Sequence, residues 1–81
     1  MLVEQTIIEQ LKQRYKRFSF EKQKFGSETV LIIRATLGRF VGRFIFGDDS
    51  ICGYSSSKKM NHDTDLKYSE LFKKLFIFIE D

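Results

Sequence analysis

Three arginines stand within ten residues of this chain, in RATLGRFVGR at positions 34–43. A guanidinium is a planar, permanently charged fork that holds a phosphate or carboxylate through two parallel hydrogen bonds, so such a group is the raw material of an anion site. The other groups with chemical reach are fewer. Asp48 and Asp49 are paired carboxylates, but adjacent acids following a glycine have the composition of a turn. His62 lies beside Asp63 and Asp65, a set that could ligate a metal, yet no second histidine or further cysteine completes a site. Acids just ahead of an amphipathic stretch serve as helix caps. No phosphate-cradling glycine loop and no nucleophile–base pair occurs. The residues point to no enzyme, no metal and no cofactor.

Length and composition set the frame for that anion site. Eighty-one residues make one domain, 1–81, and nine phenylalanines supply area for a small core. Residues 1–46 hold nine Lys or Arg against four Glu, a net of +5, and residues 47–81 hold five Lys against seven acids, a net of −2. The basic half is therefore the half that carries the arginines, which permits a polyanionic partner. The single Cys52 leaves no internal disulfide, the pattern of a reducing compartment, and the apolar run LFIFI at 75–79 is too short to cross a bilayer. The expectation is a cytoplasmic protein with no membrane association.

Periodicity then assigns the elements. Val3, Ile7, Ile8, Leu11 and Tyr15 form an apolar stripe at helical spacing, which predicts a helix over 3–17 with acids early and bases late. From Phe18 the period becomes two. FSFEKQKF, ETVLIIRATL and FVGRFIF read as strands joined by Gly26-Ser27 and Gly38-Arg39, each a two-residue loop with glycine first, the signature of a type II′ hairpin. GDDSICGY predicts a turn at Asp48-Asp49 and a fourth strand through Ile51 to Tyr54. SSSKKMNHDTD reads as a loop, and DLKYSELFKKLFIFIE as a closing helix capped by Asp63, Thr64 and Asp65. Ile77 and Phe78 exceed the stripe Tyr68, Leu71, Phe72, Leu75, Phe76, Ile79, so residues 75–79 either end the helix in a hydrophobic partner surface or form a strand. The fold class is α+β: helix, three- to four-stranded antiparallel meander, helix, with both helices on one face.

The predicted turns fix where the arginines lie. Gly26-Ser27 sets Phe20 opposite Ile33 and Phe18 opposite Ala35. Gly38-Arg39 sets Leu37 opposite Phe40, Ala35 opposite Gly42, Ile33 opposite Phe44 and Leu31 opposite Phe46. All apolar partners then share one face, an agreement that a one-residue slip would destroy. On the other face Arg34 meets Arg43, with Arg39 at the hairpin tip and Tyr54 beside Arg43. Like charges opposite each other are unfavourable unless solvated or bridged by an anion such as phosphate. Lys22 and Lys24 fall at the edge of the core face, where their stems would snorkel.

VLIIRATLGR together with KYSELFKKLF resembles the Alu-RNA-binding subunit of the signal recognition particle, with Arg39 and Arg43 where that family carries a lysine run. SSSKK at 55–59 is similar to the double-stranded-RNA-binding domain, whose lysines at the start of the last helix reach phosphates; this resemblance implies that role for Lys58 and Lys59. Two expectations follow. In the first, the chain is a non-catalytic RNA-binding module within a larger particle or dimer, using Arg34, Arg39, Arg43, Lys58, Lys59 and Tyr54, with Lys22 and Lys24 as auxiliaries. In the second, it is a protein-binding module, such as a viral or mobile-element inhibitor or an assembly subunit, forming a homo- or heterodimer. Its contact surface would be the exposed sheet residues Val30, Ile32, Val41 and Ile45, or the C-terminal pair Ile77 and Phe78.

Overall fold

The computed structural model describes residues 3–47, 50–63 and 68–80. Helix α1, Val3–Arg14, is followed by five strands, β1 (Ser19–Phe25), β2 (Glu28–Arg34), β3 (Phe40–Phe46), β4 (Ser50–Tyr54) and β5 (Lys59–Asp63), and by helix α2, Tyr68–Glu80. The strands form one antiparallel sheet in the order β1-β2-β3-β4-β5. The class is α+β as expected, with one strand more than the sequence pattern offered. The turn at Asp48-Asp49 and the caps at Thr64 and Asp65 lie outside the described residues, as does the Asp63 side chain.

The first hairpin follows its predicted register, with Phe20 opposite Ile33 and Phe25 opposite Glu28. Gly26 takes φ 62°, a left-handed value that glycine adopts without the Cβ clash, and Ser27 does not share it. The second connection does not turn at Gly38-Arg39. β2 pairs with β3 two residues away from the predicted register: Leu31 faces Phe44 and Ile33 faces Gly42. Beyond Ile33 the ladder shifts, setting Arg34 against Phe40. The connection is longer because Thr36–Gly38 forms a single 3-10 turn in which Leu37 (φ 67°) and Gly38 (φ 78°) are both left-handed. Ala35 closes it by donating its N–H to Arg39 C=O at 2.7 Å and accepting from Gly38 N–H at 3.1 Å. A shift of two keeps the side chains of residues 29–33 and 42–46 on their faces, so the apolar face survives, while the irregularity after Ile33 sets Phe40 opposite Arg34 and lets Val41 pack on the core.

The third predicted strand pairing holds, with Arg43 opposite Tyr54 and Phe46 opposite Ile51. The segment read as a loop contains β5. Ser55–Lys58 makes a tight turn in which the Ser55 hydroxyl accepts from Lys58 N–H at 3.1 Å and Ser55 N–H donates to Lys58 C=O at 2.9 Å. β5 then returns along β4, with Met60 opposite Gly53 and His62 opposite Ile51.

Both helices cover the face carrying Leu31, Ile33, Phe44, Phe46 and Ile51. They contribute Ile7, Ile8 and Leu11 from α1 and Leu71, Leu75 and Phe78 from α2 to the same buried cluster. Phe44 is the centre of it. Its ring lies across Gly53, where an added Cβ would come within 2.7 Å of Phe44 Cε1 and 2.8 Å of Met60 Cγ, so the sheet is close-packed there. Helix α1 stops at Arg14, three residues short of expectation, because Tyr15 leaves the helix to stack on Phe18, with ring centroids 5.2 Å apart and planes within 8°. The same Tyr15 donates its hydroxyl to Glu80 at 2.5 Å, and Arg14 Nε donates to the same carboxylate at 3.0 Å while its guanidinium lies 4.0 Å from the Phe76 ring centroid. This clamp joins the C-terminal ends of the two helices.

Candidate functional site

The opposite face of the sheet is crossed by no helix among the described residues. Strand pairing arranges its side chains in rows, since residues opposite one another on neighbouring strands share a face. One row runs Gln23, Val30, Ile45, Cys52, Asn61, and the next runs Glu21, Ile32, Arg43, Tyr54, Lys59. Arg34 stands two residues beyond Ile32 on β2, so it is a diagonal neighbour of Arg43 and not its opposite. The direct clash of like charges predicted from the sequence is thereby relieved by the longer turn.

Arg43 lies with its Cζ 5.6 Å from the Tyr54 ring centroid, a cation–π approach that leaves the guanidinium edge free to donate. Lys59 stands on the far side of Tyr54. Two strand spacings separate Arg43 from Lys59, about 10 Å. Arg34, Arg39, Arg43 and Lys59 are exposed and have no acidic partner among the described residues. Glu21, at the other end of the row, is held by Gln23 Nε2 at 2.7 Å. Beneath the charges Ile32 and Ile45 are half-buried and Val30 is buried, all three shielded by neighbouring side chains and not by a second layer. Cys52 donates its thiol to Asn61 Oδ1 at 2.8 Å.

Several expected site residues are thus brought together and others are not. Arg34, Arg43, Tyr54, Lys59, Ile32 and Ile45 share the open face. Arg39 follows the loop tip and does not form it; the tip is Leu37, whose side chain is wholly exposed. Lys58 is occupied elsewhere. Its ammonium donates to Phe78 C=O at 2.8 Å and sits 5.2 Å from the Phe78 ring, capping the end of α2. Neither lysine is at a helix start, since both lie on the turn and strand of β5. Val41 packs against the core cluster and is only partly available. Lys22 reaches across to Glu4 at 3.9 Å and Lys24 is exposed on the helix side, so both lie off the open face.

The C-terminal pair separates. Residues 75–79 are helical, and Phe78 is 7% exposed with its ring 5.5 Å from Phe44 in an edge-on contact. Leu71, Leu75 and Phe78 are the i, i+4, i+7 positions of α2, the middle of its buried stripe. Ile77 alone is exposed, at 59%. His62 points into the core at 2% exposure, and neither ring nitrogen has a hydrogen-bond partner among the described residues. No group of three or more metal-binding side chains occurs among those residues.

The feature that sequence reasoning missed is Phe40. It is 38% exposed and stands opposite Arg34 in the ladder. The sequence signal was present in RF at 39–40, but the assumed turn assigned Phe40 to Leu37. Among the described residues no helix is long and apolar enough to cross a membrane. No protein-family model, curated protein or solved structure matches the chain.

Proposed function

We propose that this chain is a non-catalytic RNA-binding module that takes a single strand across its helix-free sheet face, acting within a larger particle or dimer. The observation that carries the reading is the row Arg43, Tyr54, Lys59, an exposed aromatic between two cations without acidic partners. An uncovered antiparallel sheet offers a shallow surface on which an unstacked base meets a tyrosine face, and flanking cations meet the backbone on either side. Arg34, two residues beyond Ile32 on β2, adds a further cation to that face. Arginine rather than lysine at two of the three cationic positions favours a forked grip on phosphate. The resemblance of VLIIRATLGR to an RNA-binding family supports the same class of partner.

Arg34→Ala combined with Arg43→Ala tests this. Both residues face away from the core, so thermal stability changes by no more than about 0.5 kcal/mol. Affinity for a single-stranded oligoribonucleotide falls with little dependence on sequence, and the slope of log affinity against log salt shrinks by about 1.4, from two phosphate contacts at about 0.7 each. An unchanged slope, or a wild type without RNA affinity at moderate salt, overturns the reading. It would promote the second one, a protein-binding sheet face, which is favoured by the half-buried aliphatics Ile32 and Ile45 at the centre of that face.

A further inference from the structure

β5 is an edge strand, and its free edge is not closed by another strand among the described residues. In an antiparallel ladder the hydrogen-bonded pairs alternate, so one fixed pair sets the phase of the rest. The bond from Ser55 N–H to Lys58 C=O fixes it: Gly53 with Met60 and Ile51 with His62 are the hydrogen-bonded pairs. Lys59 and Asn61 therefore turn their N–H and C=O groups outward. The phase is corroborated by Lys74, which reaches from α2 to donate to Asn61 C=O at 3.4 Å, a long bond holding an otherwise open acceptor.

Between this edge and α2 runs an open groove of about 480 Å³. Ile77 and Phe78 form its apolar wall, Lys59 and Lys74 supply charge not committed to a carboxylate among the described residues, and no acidic residue among those described lines it. A free strand edge alongside a helix-walled groove is the geometry into which an extended peptide adds as a strand, its backbone paired and its alternate side chains in the groove. The lysines choose the occupant. The strand a second copy would present, KMNHD at 59–63, carries no net negative charge to offer these lysines. RNA has no backbone N–H to offer Asn61 C=O, and the exposed wall residue is aliphatic Ile77, not a stacking aromatic.

We propose that β5 and α2 form a docking groove for an extended acidic segment of a protein partner, which joins the sheet as a sixth strand and takes Asn61 C=O from Lys74. The freed Lys74 ammonium then pairs with the segment's carboxylate. This site meets the arginine face only at Lys59 and uses none of its arginines.

The test uses the isotopically labelled full chain titrated at low salt with a panel of end-blocked heptapeptides alternating Glu with Val, Thr or Phe. Amide shifts are expected at Lys59, Asn61, Lys74 and Ile77. N-methylation of alternate peptide amides, which keeps the charge and removes the strand donors, weakens binding on the order of tenfold or more, as does Lys74→Glu. Asn61→Pro removes an outward N–H without breaking a bond to β4, and abolishes binding with the fold retained. Should that variant unfold, the N-methylated peptides still read the same contact. Arg34→Ala/Arg43→Ala leaves peptide binding intact, so this proposal and the RNA reading fail separately. No shift along β5 with any panel member at millimolar concentration overturns the proposal. Equal binding of the N-methylated peptides, or displacement of peptide from the edge by single-stranded oligouridylate, also overturns it.

Discussion

Leu37 carries two costs at once. Its φ of 67° is left-handed, and its side chain is fully exposed. A Cβ in that region costs about 1–2 kcal/mol, against about 0.5–1 kcal/mol of backbone entropy that glycine would lose. Leu37→Gly is therefore expected to raise stability by about 0.5–1 kcal/mol, read as a higher urea midpoint at unchanged slope. Tyr15 makes a prediction of opposite character. Burial, then the hydrogen bond to Glu80, pushes its phenol up to about 12. The folded state thus favours the neutral phenol, a contribution whole below the ordinary value near 10 and lost as pH rises to about 12. Glu80 is held below the usual carboxylate range by the Tyr15 hydroxyl and then Arg14, so its contribution is present above that range and lost in acid. Urea titrations across pH should show wild-type stability declining between about pH 10 and 12. Tyr15→Phe should flatten that decline, and Glu80→Gln should flatten the acid limb.

At the scale of elements, the close packing of Phe44 against β4 and α2 is the quantity to perturb. Gly53→Ala must displace a fully buried ring, and about 1–3 kcal/mol of destabilisation is expected. Phe78→Ser, which a surface-exposed Phe78 would have made a solubilising change, should instead cost about 3–5 kcal/mol, checked by denaturant unfolding. The first hairpin was legible in the sequence because Gly26 leads a two-residue loop and the flanking strands alternate without interruption. The second was not, because its turn stores a left-handed leucine that no propensity anticipates. β5 was hidden by its composition: Lys59 and Asn61 face one side and only Met60 and His62 the other, so its alternation rests on one hydrophobe and one histidine. The pairing of Arg43 with Tyr54 was legible because the register about residues 48 and 49 is symmetric, whereas the opposition of Arg34 and Arg43 inherited the error of the turn.

The molecule as a whole has a covered and an uncovered side. Both helices are used on the Phe44 side, leaving the face of Ile32, Arg43, Tyr54 and Lys59 without a second layer among the described residues. Half-buried aliphatics beneath cations without acidic partners among the described residues make this the face on which the proposed RNA binding rests. Its most direct measurement is a map of backbone amide shifts on adding a mixed-sequence single-stranded oligoribonucleotide at moderate salt. The account predicts shifts concentrated at Ile32, Arg34, Arg43 and Tyr54, with α1 and the amides of Asn61 and Lys74 unchanged. Shifts absent from that face at millimolar RNA, or confined to the β5–α2 groove, would contradict it.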